Sequence, residues 1–164
     1  MKNDIIKIQE DFIELAGNLC ASINVTRIIG QLYALLYMNE KPVSMDEMVE
    51  RLKVSKGNIS VNINILEGWG AVRKIGIRGS RKNYYSADTD IWKIVINRIE
   101  EGLNRRLDIV TSAIINIKNE LEIFGSESEK NEKSSIVFYK ERLEQIKKIE
   151  EKLNGVVKAL SYFK

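Results

Sequence analysis

SMDEMVERLKVSKGNISVNINILEGWGAVRKIGIRGSRKNYYSAD, residues 44–88, decides the fold. Ser44 with Glu47 three residues on is a capping box, in which each side chain satisfies a free backbone amide at the other's position. Ser55 offers a second N-cap just before Lys56-Gly57-Asn58. Ile59, Ile63 and Leu66 then recur at i, i+4 and i+7, the apolar stripe of a helix. At about 100° per residue the opposite face carries Gly57, Val61 and Asn64, flanked by Asn58 and Ser60. Gly68-Trp69-Gly70 is a glycine C-cap region that stops this helix. Residues 71–77 and 83–87 are β-prone, and Arg78-Gly79-Ser80-Arg81-Lys82 turns between them. Helix, tight turn, helix and a two-stranded hairpin with a basic tip make a winged helix-turn-helix.

The charge is segregated around this stretch. Residues 51–82 hold eight cations (Arg51, Lys53, Lys56, Arg73, Lys74, Arg78, Arg81, Lys82) and one anion, Glu67, a net of +7. The other residues carry 18 cations against 22 anions, so a chain of net charge +3 is basic in one place only. Positive charge coincident with a helix-turn-helix pattern is the footprint of a polyanion partner, here double-stranded DNA.

Outward from this centre the chain is helical. Residues 4–20 form an amphipathic helix with Ile5, Ile8, Phe12, Leu15 or Ala16, and Leu19 on one face. The winged unit does not need that helix, so it is expected to pack on the long helices at the other end. Residues 26–38 form a second helix, with Ile28, Ile29, Leu32, Leu35 and Leu36 apolar. Gly30 inside it costs about 1 kcal/mol relative to alanine, which points to close helix packing. Pro42 sets the approach to Ser44. Met45, Met48, Val49 and Leu52 give the next helix its inner face. After the hairpin, Asp88-Thr89-Asp90 caps a long helix with Trp92, Ile96, Ile99, Leu103, Leu107, Val110, Ile114, Ile117, Leu121 and Phe124 in near-heptad spacing. Residues 125–135 read as a charged, Ser-rich break. The apolar pattern resumes at Ile136 and runs through Leu143, Ile146 and Leu153 to Leu160 and Phe163. Two such stripes predict an antiparallel helical hairpin whose remaining apolar face is covered by a second subunit.

The expected architecture is therefore mainly α. It has an N-terminal helix over 1–22, a winged helix-turn-helix over 23–88 and a dimerisation hairpin over 89–164. At 164 residues, 44% hydrophobic and 30% charged, the chain suits a soluble protein able to bury a core. No run of about 18 apolar residues suggests a membrane span, and the N-terminus lacks a signal-like apolar block. A cytoplasmic protein is the expectation. The single cysteine, Cys20, rules out an internal disulfide and reads as a small buried apolar residue. With no histidine the commonest metal ligand is missing. No nucleophile pair, phosphate loop or paired carboxylate can be placed, so neither an enzyme nor a metal or other cofactor is expected.

Each outer residue has a physical role toward DNA. The helix starting at Ser55 enters the major groove, where base edges carry the discriminating pattern. Asn58 and Asn64 can pair with adenine edges, Ser60 can reach a base or a phosphate, and Val61 can meet a thymine methyl. Gly57 lets the backbone approach closely, and Lys56 is placed for phosphate. Asn62, at the edge of the buried stripe, serves either DNA or a hydrogen bond inside the domain. Arg78, Arg81 and Lys82 can reach the backbone or a narrow minor groove, and Arg73 and Lys74 suit phosphate. Tyr33, Tyr37, Tyr85 and Trp92 have two readings, a core at the domain junction or an aromatic site for a small-molecule effector such as a quaternary ammonium.

Ser55-Lys56-Gly57-Asn58-Ile59-Ser60, Leu66-Glu67-Gly68-Trp69-Gly70-Ala71-Val72-Arg73-Lys74 and Gly79-Ser80-Arg81-Lys82-Asn83-Tyr84-Tyr85 together resemble the MarR superfamily, and within it the GbsR-type branch. Asp90-Ile91-Trp92 after the wing agrees, and outside residues 26–92 the likeness is architectural. The resemblance implies a homodimeric transcriptional regulator, a repressor or an activator, whose terminal helices dimerise while the winged unit binds operator DNA. In some members it implies control of choline or glycine-betaine genes. Two rival readings are a winged-helix module that binds protein and an architectural DNA-binding protein without sequence preference. The first needs an apolar or acidic outer face over 55–68, where this chain is polar.

Overall fold

The computed structural model describes residues 2–127 and 130–163. The chain divides into two compact units, Met1–Ile94 and Val95–Lys164. The first holds α1 (Lys2–Ser22), α2 (Arg27–Tyr37), β1 (Val43–Ser44), α3 (Met45–Leu52), α4 (Lys56–Gly68), β2 (Val72–Ile75), β3 (Tyr84–Ala87) and the start of α5 (Ile91–Glu127). The second holds the rest of α5, α6 (Lys130–Leu160) and a closing 3-10 turn, Ser161–Phe163. The class is mainly α with a winged helix-turn-helix, as the pattern predicts.

Local chemistry sets the element ends. At α3 the Ser44 amide donates to Glu47 Oε2 at 2.9 Å, and the Glu47 amide donates to Ser44 Oγ at 3.2 Å, the complete capping box. At α4 the Asn58 amide donates to Ser55 Oγ at 3.2 Å. The far end of α4 closes as a Schellman motif. Gly70 takes a φ of +67°, its amide bonds Glu67 O, and the Ala71 amide bonds Leu66 O, both at 2.9 Å. Asp90 caps α5 through the Lys93 amide at 3.0 Å.

The wing carries one strand more than the predicted two. β1 joins β3 with Val43 opposite Tyr85, and β2 joins β3 with Val72 opposite Ala87, giving the antiparallel order β1-β3-β2. Two residues are too few to show an alternation, so β1 left no periodic signal. One core unites the unit: Ile28, Leu32 and Leu35 of α2, Met48 of α3, Ile59, Ile63 and Leu66 of α4, and Val72, Tyr85 and Ala87 of the sheet.

Within the first unit α1 packs on α2, and Arg51 of α3 donates to Gln9 Oε1 at 3.2 Å. Ile13 is part of the core, Gln9 Nε2 donates to Met38 O at 3.1 Å, and Arg27 pairs with Glu14. Gly30 makes this crossing. A Cβ there would lie 2.2 Å from Ala16 O, so only glycine lets the two backbones approach this closely. Ile5, Ile8, Leu15 and Leu19 remain exposed on α1.

In the second unit, Lys118 pairs with Glu144 and Gly125 faces Ile136, so α5 and α6 run antiparallel. Helix occupies most of the predicted break over 125–135, because α5 continues to Glu127 and α6 begins at Lys130. Glu, Lys and Asn without proline can continue a helix even where no apolar residue anchors it. Residues 128 and 129 of that segment lie outside the described residues. Ile96, Leu107, Ile114, Leu143 and Val157 are buried, while Ile99, Ile117, Ile146 and Leu153 are exposed. Among the described residues no helix is long and apolar enough to cross a membrane.

Candidate nucleic-acid interface

The outer face of α4 is built from the side chains its core stripe leaves over. Ile59, Ile63 and Leu66 turn inward, and Lys56, Gly57, Asn58, Val61 and Asn64 are exposed, with Ser60 half-buried. A Cβ at Gly57 would have nothing within 4 Å, so no packing inside the chain requires that glycine. Val61 is 60% exposed, an apolar side chain in a polar surround. Asn62 resolves to the inside: it is buried, and its Nδ2 donates to Asn58 O at 2.8 Å and to Asn58 Oδ1 at 2.7 Å. That bond also steadies the Asn58 side chain on the exposed face.

The wing presents its cations on exposed backbone. Gly79 turns the tip with a φ of +84°, a conformation that side chains rarely adopt. The Lys82 amide donates to Ser80 Oγ at 3.2 Å, which orders the strand that returns from the tip. Arg78, Arg81 and Lys82 are all exposed, as are Arg73 and Lys74 on β2. Among the described residues Arg73, Lys74, Arg78 and Arg81 are in no ion pair.

Asp46, which sequence reasoning passed over, joins helix and wing. Its Oδ1 lies 3.1 Å from Lys56 Nζ at the start of α4, and its Oδ2 lies 3.1 Å from Lys82 Nζ beside β3. The bonds from Lys82 and then Lys56 hold the Asp46 carboxyl below the usual range, and Asp46 in turn raises Lys82. These three residues line a hollow of about 170 Å³ with Met45, Arg81 and Asn83. The contacts span ten and thirty-six positions of sequence, so no local pattern announced them.

Arg73 stands apart from the wing tip. It borders a different hollow, about 480 Å³, with Tyr37, Glu40, Asp88 and Thr89 among its walls. Two of the four aromatic candidates, Tyr33 and Tyr37, stand together. Tyr33 and Tyr37 lie 5.8 Å apart between ring centroids, and Phe12 stacks on Tyr37 at 6.4 Å. Tyr33 donates its hydroxyl to Asp88 O at 2.7 Å, and burial with nearby anionic groups pushes that phenol up to about 12. Tyr85 is in the core, whereas Trp92 is 60% exposed. Among the described residues no cluster could hold a metal ion.

A sequence model of the MarR family matches residues 23–82. Over 98 residues the chain is 31% identical to the HTH-type transcriptional repressor GbsR of Bacillus subtilis (strain 168), covering 60% of this chain and 54% of that protein. Over 76 residues it is 30% identical to the HTH-type transcriptional regulator MmpR5 of Mycobacterium tuberculosis (strain ATCC 25618 / H37Rv), 46% of each. The chain thus spans about half the length of the curated relatives it matches. A crystal structure of a transcriptional regulator shares the fold with a TM-score of 0.58 at 17% identity, covering 94% of this chain and 98% of that one. The matched residues 23–82 take in the helix-turn-helix and the wing as far as its tip, so it is this part of the chain that is similar to the MarR family.

Proposed function

We propose that this chain is one subunit of a homodimeric, sequence-specific transcriptional regulator, acting in the cytoplasm as a repressor. Helix α4 enters the major groove with Asn58, Ser60, Val61 and Asn64 toward the bases. The wing lays Arg78, Arg81 and Lys82 along the backbone or in the minor groove, and Lys56, Arg73 and Lys74 take phosphates. The observation that carries this reading is that Lys56 in the first turn of α4 and Lys82 of the wing both lie 3.1 Å from Asp46, so helix and wing stand side by side. A polar helix face beside a basic wing has the chemistry of base readout flanked by phosphate contact. The likeness to a protein described as a repressor supports the direction of regulation.

Residues 89–164 supply the dimer. Their exposed Ile99, Val110, Ile117, Ile146 and Leu153 form more apolar surface than a soluble monomer usually leaves open. A two-fold partner covers that surface and presents two α4 helices to half-sites about 34–36 Å apart. The test is selection from random duplex DNA with the full chain, followed by affinity at several salt concentrations. The expected product is an inverted repeat, bound with an affinity that falls steeply with salt, and Arg81→Ala should flatten that slope by about one unit. Asn64→Ala should lose about 1–3 kcal/mol of discrimination at one base pair. A salt-independent affinity with no enriched sequence would overturn the reading.

A further inference from the structure

Asp46 stands in the first turn of α3, where any carboxylate modestly favours the helix start. Ser44 and Glu47 already cap α3 between them. The Asp46 side chain is half exposed, and those of Lys56 and Lys82 are more open still. Exposed ion pairs add little to stability, so the bridge is not explained by what it holds together. Its position is what distinguishes it: among the described residues it is the one carboxylate that lines, with Lys56, Arg81 and Lys82, a hollow of about 170 Å³ at the junction of α4 and wing, while Glu47 acts on Lys82 from outside that lining. That is where a DNA backbone phosphate would meet the protein.

Resting on the DNA-binding reading above, we infer that Asp46 is an internal competitor for DNA phosphate that sharpens discrimination between operator and random sequence. In the free protein its two oxygens occupy the ammonium groups of Lys56 and Lys82. On random DNA the helix docks loosely, the hollow receives no phosphate, and both lysines stay with Asp46. On the operator, base contacts from Asn58 and Asn64 seat α4 deeply enough to bring a phosphate into the hollow. The phosphate then takes the two lysines from the carboxylate. Non-specific affinity is almost wholly phosphate contact, so withholding two cations weakens it most.

Asp46→Asn in the full chain tests this, with Asp46→Ser as a second variant that suits a helix start, and a thermal melt to show that each is folded. On random-sequence duplex, affinity should rise about tenfold, and the salt slope should steepen by about 0.9 for each lysine released. On the selected sequence the rise should be several-fold smaller, so the specificity ratio falls. In a Lys56→Gln/Lys82→Gln background the same Asp46 substitution should change neither quantity, whereas a general charge effect would persist there. The inference is overturned by unchanged or weaker binding to random DNA, by an equal rise on both DNAs, or by an effect that survives loss of the lysines. If the unaltered chain binds no DNA, the proposed function falls and this inference with it. If it binds and Asp46→Asn changes nothing, only the inference falls.

Discussion

In Met1–Ile94 the core-facing apolar stripes of α2 and α4 are closed off from water, with Leu32, Leu35, Ile59 and Ile63 each 0% exposed. In Val95–Lys164 the same three-and-four spacing leaves Ile99 45%, Ile117 44% and Ile146 45% exposed. The difference lies in the number of neighbours. Helices α2 and α4 each meet other helices and the sheet, so the whole apolar stripe finds a cover. Within its own unit a two-helix hairpin offers each helix a single partner helix and shields a single line, here Leu107, Ile114, Leu143 and Val157. Periodicity therefore reports that a face is apolar, and leaves open what covers it.

The largest effects should come from substitutions in those two stripes. Leu32→Ala should cost about 2–5 kcal/mol in a urea melt, at any protein concentration, because its cavity lies within one subunit. Val110→Glu should leave the winged core folded and abolish self-association, since a dimer would bury an unpaired carboxylate. Sedimentation equilibrium reads the second result directly. An unaltered dimer would break the contrast between a self-covered stripe and a partner-covered one.

Two glycines sharpen the comparison next. A methyl at Gly30 runs into Ala16 O, so Gly30→Ala should destabilise by about 1–3 kcal/mol as α1 is levered from α2. A methyl at Gly155 in α6 meets nothing within 4 Å. Gly155→Ala should therefore stabilise a dilute, monomeric chain by up to about 1 kcal/mol through helix propensity. A loss of dimer affinity in that variant would place a second subunit against this part of α6.

Smaller effects separate the ways the two units hold charge. Ser44→Ala should cost about 1 kcal/mol by removing the hydroxyl half of the capping box, measured by thermal melt. Bonds from the Ser44 amide and then its hydroxyl hold the Glu47 carboxyl below its usual value, and Lys118 does the same to Glu144. A carboxylate depressed on folding adds stability above its unfolded value of about 4.3, and this is lost as pH falls through the folded one. Glu47→Gln should flatten the acid limb of the stability curve with or without salt. The effect of Glu144→Gln should vanish in about 1 M salt, where the screening length is ~3 Å.

The parts of the fold that were legible are those closed within a few residues. The capping box at Ser44, the cap at Ser55, the glycine end of α4 and the turn at Gly79 each depend on neighbours no more than five positions away. The core face of α4 was equally plain, because a helix repeats its burial every three or four residues. The outer face followed as the remainder, which is why Gly57, Asn58, Val61 and Asn64 could be singled out without a structure. Asn62 was ambiguous for the same reason. It sits on the boundary of the two faces, and only its bonds to Asn58 assign it to the inside.

The sequence by itself determined the helix-turn-helix, the basic wing and the segregation of charge, since hydrogen-bonding caps, turn glycines and periodicity act locally. Only the tertiary structure decided that β1 completes the sheet, that α1 rests on α2 at Gly30, and that Asp46 holds Lys56 and Lys82 together. Each of these joins positions far apart in the chain, and such contacts arise from how whole elements pack rather than from any spacing along the backbone.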